Sequence, residues 1–216
     1  MVIRSNAKLN SKSFILKAEN ISKSFSAHKA IENICFNIAE GEVIGMVGDN
    51  GTGKSTIMRI ISLVDSLDTG KYTINGENVY DNVKYYRSLI GYIPQSDALI
   101  EEMTASDNLR LFSLLDKKET EIKINELTKA FDMGEFINKK VKHLSGGMKK
   151  RVNISAGLMN RCKMIVADEP FAGLDKTQRE KVIEYFKTQS KNGVAQLITS
   201  HYVDNLKGWS KSIIEL

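Results

Sequence analysis

The stretch GDNGTGKST at residues 48–56 constrains the fold of this chain more than any other feature. It has the spacing G-x-x-x-x-G-K-[ST] of a phosphate-binding loop, whose glycines let the backbone approach a phosphate group closely. The apolar run Val43–Val47 precedes the loop and helical signals follow from Lys54, which argues against an incidental glycine-rich turn. The sequence therefore predicts a nucleoside triphosphate site at a strand-to-helix turn.

Two side chains of this loop have predicted roles in addition to the backbone. Lys54 is placed to neutralise the β- and γ-phosphates, and Ser55 offers a hydroxyl to Mg²⁺. Successive N–H groups and the N-terminus of the following helix supply partial positive charge. The predicted ATP-binding residues of the loop are Gly48, Asp49, Asn50, Gly51, Thr52, Gly53, Lys54, Ser55 and Thr56.

An acidic pair follows the apolar run Met164–Ala167, which predicts a buried parallel strand. Asp168 and Glu169 then lie at the edge where open α/β sheets bind ligands. Asp168 is expected to hold Mg²⁺ through water, and Glu169 to polarise a water for attack on the γ-phosphorus. Alone, the pair would be better explained as an exposed turn, but beside a phosphate-binding loop we favour the functional interpretation.

Short strands and helices alternate along the chain, which predicts an α/β fold. Alternating apolar residues predict N-terminal strands near residues 14–18 and 34–38. Further strands are predicted at Tyr72 and Ile74, Val79, Ile90–Ile93, Ala195–Thr199 and residues 212–216. Helices are predicted from Lys54 through Val64 and over residues 176–189.

Helical periods dominate residues 96–157. One predicted face contains Leu109, Leu111, Phe112 and Leu115, and a second contains Ile124, Leu127 and Phe131. The sequence LSGGM at residues 144–148 is a paired-glycine turn that opens another helical pattern, and it is a second potential anion site.

Composition and charge narrow the function classes. The net charge is +5, but the basic residues are scattered without interleaved aromatic residues, so no nucleic-acid partner is expected. No apolar run approaches the roughly 18 residues of a membrane span, and the N-terminus lacks the apolar core of a secretory signal. Cys35 and Cys162 lack metal-site spacing and are expected to be reduced, partly buried thiols.

Over essentially its whole length the chain resembles the nucleotide-binding subunit of an ABC (ATP-binding cassette) transporter. The motifs that carry the resemblance, in the family's order, are Walker A at residues 48–56, the Q-loop glutamine Gln95, the signature at residues 144–148, Walker B at residues 164–169, the D-loop aspartate Asp175 and the switch histidine His201. Phe25 matches the aromatic position that stacks on adenine. Six ordered motifs make this match specific, whereas Walker A alone would indicate only a P-loop NTPase.

The resemblance implies a site shared between two subunits. In the family, two cassettes pair head to tail, and ATP lies between Walker A of one and the signature of the other. The residues that would act in trans are Leu144, Ser145, Gly146, Gly147 and Met148. Their helix N-terminus would meet the γ-phosphate, so that ATP holds the halves together until hydrolysis lets them part.

The resemblance also implies roles for single residues. Gln95 would link the nucleotide to the helical lobe, His201 would orient the water or the γ-phosphate, and Asp175 would contact the facing subunit. The implied catalytic residues are Glu169, His201, Gln95 and Lys54. The implied Mg²⁺ ligands are Ser55, Gln95 and Asp168.

Two residues depart from the commoner family pattern. Met148 replaces the glutamine that more often ends the signature, but the serine and both glycines of the motif are intact. Phe25 replaces the commoner tyrosine, and stacking needs only a ring face. Neither change predicts an inactive site.

The resemblance implies one ABC domain over residues 1–216. A P-loop NTPase core with a mainly parallel sheet and an N-terminal antiparallel region is expected at roughly residues 13–95 and 158–216. An inserted helical lobe is expected at roughly residues 96–157. The chain would be cytoplasmic and peripheral on the inner face of the cell membrane.

The implied function is Mg²⁺-dependent ATP hydrolysis that powers a separately encoded transmembrane permease. LSGGMKKR and IGYIPQ resemble cassettes of bacterial drug and peptide exporters more than those of importers. Both halves of the composite site are intact, so a homodimer is expected, with a heterodimer as the alternative. The permease would choose the transported substrate.

Two other function classes stay open. A non-transport ABC ATPase would act on a ribosome or a nucleic-acid complex, but such proteins typically carry two cassettes with a basic linker, or long coiled coils. A small-molecule kinase would need a phosphoryl acceptor site, and none is evident in the sequence.

Overall fold

The N-terminal part of the chain forms an antiparallel sheet. The computed structural model describes residues 14–25, 28–200 and 206–216. The strands of this sheet are β1 (Phe14–Phe25), β2 (His28–Ala39), β4 (Thr69–Ile74) and β5 (Glu77–Asn78). They lie in the order β2-β1-β4-β5, and each neighbouring pair is antiparallel. The predicted antiparallel region is confirmed.

A second sheet is parallel throughout. Its strands are β3 (Val43–Val47), β6 (Ile90–Ile93), β7 (Met164–Ala167), β8 (Ala195–Thr199) and β9 (Ser212–Glu215). They lie in the order β6-β7-β8-β3-β9. Every residue of β3, β7 and β8 is buried, because these central strands are covered on both faces.

The strand order determines where the candidate site lies. Strand β8 separates β3 from β7, so the carboxyl ends of these two strands are one strand apart at the same edge. Strand β3 ends just before Gly48, and β7 ends just before Asp168. The phosphate-binding loop and the acidic pair therefore reach the same edge, as the rule for open α/β sheets predicts.

The described residues form six α-helices. They are α1 (Lys54–Ile61), α2 (Val83–Ser88), α3 (Ala105–Phe112), α4 (Lys117–Ala130), α5 (Gly146–Gly157) and α6 (Lys176–Lys191). Helices α3, α4 and α5 lie between β6 and β7 in the chain. Five of these helices begin at a capping side chain that accepts the N–H of the residue three positions later: Asn82, Thr104, Asp116, Ser145 and Asp175.

Two apolar clusters stabilise these layers. One joins the antiparallel sheet to α1 and the parallel sheet and includes Phe36, Ile57 and Tyr72. The hydroxyl of Tyr72 is fully buried and donates to the carbonyl of Ile61 at 2.8 Å. The other cluster joins helices α3 to α6 to the parallel sheet and includes Leu127 and Phe186.

The structure corrects three local predictions. Val79 begins a 3₁₀ turn, Val79–Asn82, because the side chain of Asn78 accepts the N–H of Tyr80 and ends the strand. Leu111 is 56% exposed instead of sharing the buried face of Leu109, since residues two apart lie on opposite sides of a helix. The helix that begins at Lys54 ends at Ile61, three residues before the predicted end.

Candidate active site

A cavity of about 220 Å³ opens at the carboxyl edge of the parallel sheet. Its lining residues are Ala30, Asn50, Gly51, Gly53, Lys54, Ser55, Thr56, Gln95, Asp168 and Glu169. The fold therefore brings together the phosphate-binding loop, the glutamine and the acidic pair, which lie far apart in the chain. The predicted loop residues Gly48, Asp49 and Thr52 are not among the lining residues.

The loop turns sharply into α1. Gly53 has a φ of 95°, and a Cβ there would lie 2.4 Å from the carbonyl oxygen of Ala30 and 2.5 Å from Cγ2 of Ile31. Only glycine fits both the conformation and the space. The hydroxyl of Thr52 donates to the carbonyl of Asp49 at 3.0 Å and braces the loop.

Lys54 is buried at the start of α1, beneath the loop. Its Nζ donates to the carbonyl oxygens of Gly48 and Asp49, each at 2.7 Å. The lysine thus places a positive charge in a cavity that also receives the N-terminal end of α1. Ser55 is exposed at the cavity wall. This arrangement is suited to bind an anion.

The acidic pair is held by a residue that the sequence analysis missed. Thr199, the buried last residue of β8, donates its hydroxyl to Oδ1 of Asp168 at 2.7 Å. The same hydroxyl oxygen accepts the backbone N–H of Glu169 at 2.8 Å. The sequence places Thr199 at the end of a predicted strand, at the edge where ligands bind, but its two partners become evident only from the strand order.

Glu169 has an unusual backbone conformation. Its φ is 49°, in the left-handed region that residues other than glycine, asparagine and aspartate rarely adopt. The residue is buried and lines the cavity together with Asp168. Strain of this kind clusters at functional sites, where the surrounding structure imposes it. Here the bond to Thr199 is one such constraint.

The cavity offers a donor set that suits Mg²⁺. A hydroxyl (Ser55), an amide (Gln95) and a carboxylate (Asp168) line the same space. Among the described residues, no group of three or more histidine, cysteine, aspartate or glutamate residues could hold a metal ion. A few oxygen ligands at an open anion site fit Mg²⁺, which usually keeps several waters and binds substrate phosphates.

The signature residues lie outside this cavity. Ser145 and Gly146 are exposed, Gly147 and Met148 are half-buried, and Leu144 is buried. The hydroxyl oxygen of Ser145 accepts the N–H of Met148 at 3.3 Å and caps α5. The chain therefore presents a second helix N-terminus on its surface and does not bring it to its own phosphate-binding loop.

Residues 31–172 match the protein-family model described as ABC transporter. The chain belongs to the ABC transporter family. It is an ATP-binding cassette domain, and its helices and its two sheets, one antiparallel and one parallel, are those of an α/β P-loop NTPase fold.

Several curated relatives share this cassette. The chain is 32% identical to linearmycin resistance ATP-binding protein LnrL of Bacillus subtilis, covering 89% of this chain and 63% of that protein. It is 34% identical to phosphonates import ATP-binding protein PhnC of Treponema denticola, with coverage of 94% and 86%. For Nod factor export ATP-binding protein I of Rhizobium etli the identity is 31%, with coverage of 86% and 60%. The chain therefore spans less than two thirds of two of these three relatives.

A solved bacterial ABC transporter cassette is similar throughout. Its dimeric structure has a TM-score of 0.85 and 28% identity over 93% of this chain and 94% of that one. The same cassette in a post-hydrolysis state bound to ADP and Pi gives a TM-score of 0.83.

The remaining family motifs are distributed around the cassette. Asp175 is exposed and caps α6 by accepting the N–H of Gln178 at 2.8 Å. Phe25 is 49% exposed at the end of β1, outside the cavity lining, with Nζ of Lys23 at 5.7 Å from its ring centroid. His201 lies outside the described residues.

Two further predictions concern cysteines and the membrane. Cys35 and Cys162 are free and half-buried, as predicted, and burial raises the pKa of Cys162 to about 11. In the part of the chain that the structure describes, no helix has the length and apolar character needed to cross a bilayer.

Proposed function

We propose that this chain is the ATP-hydrolysing subunit that powers a separately encoded membrane permease. One observation carries the proposal: Lys54, Ser55, Gln95, Asp168 and Glu169 line one cavity at the carboxyl edge of the sheet. An anion-binding loop, oxygen ligands for a metal and a buried carboxylate are the parts that phosphoryl transfer to water needs.

In this proposal, the phosphates of ATP bind to the loop residues 48–56. Lys54 now donates to two uncharged carbonyl oxygens, and phosphate oxygens would be stronger acceptors for the same ammonium group. Phe25 offers an exposed ring face for adenine.

Hydrolysis would follow from the acidic pair. Glu169 polarises the attacking water, while Thr199 and the strained backbone hold that carboxylate in place. Ser55, Gln95 and Asp168 would hold Mg²⁺, which when bound neutralises charge on the β- and γ-phosphate oxygens. Gln95 and His201 complete the proposed catalytic set.

The proposed assembly is a head-to-tail dimer around ATP. The exposed Ser145, Gly146 and Gly147 would meet the γ-phosphate of the ATP held by the facing subunit, and Asp175 would contact that subunit. A similar cassette that was solved as a dimer supports this arrangement. A homodimer suffices, because both halves of the composite site are present in one chain.

We propose that ATP hydrolysis drives transport. Export is the favoured direction, because LSGGMKKR and IGYIPQ resemble the corresponding stretches of exporter cassettes. Relatives named for export and for import both occur, so their names support transport more than its direction. We further propose a core of residues 13–95 and 158–216 and a helical lobe of residues 96–157, working on the cytoplasmic face of the membrane.

Isolation of the tagged chain from its native cells tests this function. A co-purifying protein with about six apolar segments, each long enough to span a bilayer, would support transport. Co-purifying ribosomes, or ATPase activity stimulated by nucleic acid, would instead favour the non-transport class. Transfer of the γ-phosphate to a metabolite instead of water would identify a kinase.

A further inference from the structure

Helix α5, which begins at the signature, also holds the loop that carries Gln95. Asn153 of this helix is only 2% exposed, and both ends of its amide are used. Its Nδ2 donates to the carbonyl of Pro94 at 3.1 Å, and its Oδ1 accepts the N–H of Ala98 at 3.4 Å. One buried side chain therefore bonds the backbone on both sides of Gln95.

Lys150 contacts the same loop one turn earlier on α5. It is 6% exposed, and its Nζ donates to the carbonyl of Gln95 at 3.4 Å. Burial lowers the pKa of Lys150, while the negative charges of Asp97, Asp168 and Glu169 act in the opposite direction. The bond to the carbonyl of Gln95 joins this buried ammonium group to the loop.

Two further contacts hold α5 against the Gln95 loop and against the strand that precedes it. Nζ of Lys149 pairs with Oε1 of Glu101 at 2.7 Å. Residues 149 and 150 lie four and three positions before residue 153, so each of them is a helix-surface neighbour of Asn153 on the side toward residues 94–101. At the end of α5, a Cβ on Gly157 would lie 2.5 Å from the carbonyl oxygen of Tyr92, so the helix packs directly on β6.

We propose that Lys150 and Asn153 are positioning residues for hydrolysis, because they fix the backbone from which the side chain of Gln95 enters the cavity. Neither side chain is among those that line the cavity, so both act through Gln95. The inference rests on the proposed catalytic role of Gln95. A small displacement of a catalytic group costs turnover more than it costs nucleotide binding.

The test measures steady-state ATPase activity and melting temperature of the full chain with Lys150→Met and Asn153→Ala. Both variants should lower kcat about 10-fold and change the KM for ATP less than about 2-fold. Ser155→Ala is the matched control for the asparagine, since Ser155 is fully buried on α5 but donates to the carbonyl of Arg151. Arg151→Met is the control for the lysine, since Arg151 donates to the carbonyls of Phe131 and Asp132. Both controls should keep kcat within about 2-fold.

A double-mutant cycle with Gln95→Ala separates positioning from general destabilisation. In that background, Lys150→Met and Asn153→Ala should lower kcat by less than about 2-fold, because the group that they position is gone. Additive losses, or equal losses in the controls, would overturn the positioning role. If Gln95→Ala lowers kcat but Lys150→Met and Asn153→Ala both leave it normal, the positioning role is overturned and the proposed role of Gln95 stands. A normal kcat for Gln95→Ala would overturn the role of Gln95 proposed above, and this inference with it.

Discussion

Lys54 is held in the loop before any nucleotide arrives, because the carbonyls of Gly48 and Asp49 accept its ammonium group. The Lys54 side chain therefore loses little conformational entropy when phosphate binds. We expect Lys54→Ala to weaken ATP binding by roughly 2–5 kcal/mol, since it removes the buried cation that faces the phosphates. Isothermal titration calorimetry measures this loss. Lys176→Ala, at the exposed start of α6, is the control and should bind ATP as the unaltered chain does; unchanged affinity for Lys54→Ala would contradict the role.

Thr199 connects the ends of β7 and β8 through two hydrogen bonds of one hydroxyl. Thr199→Val keeps the shape of the side chain but leaves Oδ1 of Asp168 and the N–H of Glu169 without this partner. We expect the free energy of unfolding to fall by about 1–3 kcal/mol and kcat to fall about 10-fold. Urea denaturation and ATPase assays check both effects. Thr73→Val, at a buried threonine of the other sheet, should leave kcat unchanged; a normal kcat for Thr199→Val would show that the bonds do not position the carboxylates.

At the scale of the elements, the sequence predicted continuous apolar strands best. Strands β3 and β7 begin and end where their apolar runs do, because both faces of each strand are covered. The prediction of a strand at Val79 was wrong, because a local hydrogen bond to the side chain of Asn78 starts a 3₁₀ turn there.

The contacts of Thr199 and Lys150 were out of reach for a different reason. They join segments 31 and 55 residues apart, and the pairing depends on which strands and helices become neighbours. The motif residues of the cavity could be predicted because their spacing encodes local geometry. The residues that hold them could not, because their roles arise only from the strand order and the packing of α5.

The strand-to-helix turn of the phosphate-binding loop predicts a graded glycine series. At Gly53 the backbone φ is 95°, and an added Cβ would lie within 2.5 Å of two atoms. Gly53→Ala should therefore lower the free energy of unfolding by well more than the roughly 1–2 kcal/mol that the left-handed conformation alone costs. At Gly51 the φ is 85° but no atom lies within 4 Å of an added Cβ, so Gly51→Ala should lower the free energy of unfolding only by the cost of the left-handed conformation. Gly134→Ala, with neither problem, is the control. Melting temperatures that fall equally in all three variants would contradict this account of the turn.

At the scale of the whole molecule, the proposed mechanism assigns ATP binding and base catalysis to different residues of one cavity, while the signature faces outward. Glu169→Gln should therefore retain ATP binding, lower hydrolysis by ~10²–10⁴-fold and accumulate an ATP-bound dimer, because the γ-phosphate that links the subunits is not removed. Size-exclusion chromatography with light scattering, with and without ATP, measures the dimer.

Adding Ser145→Arg to the Glu169→Gln chain places a bulky side chain at the exposed start of α5, far from the lysine loop in the chain. This second variant should bind ATP in calorimetry yet stay monomeric, because only the contact across the subunits is blocked. A Glu169→Gln chain that remains monomeric with ATP bound would contradict the head-to-tail arrangement while leaving the nucleotide site itself intact.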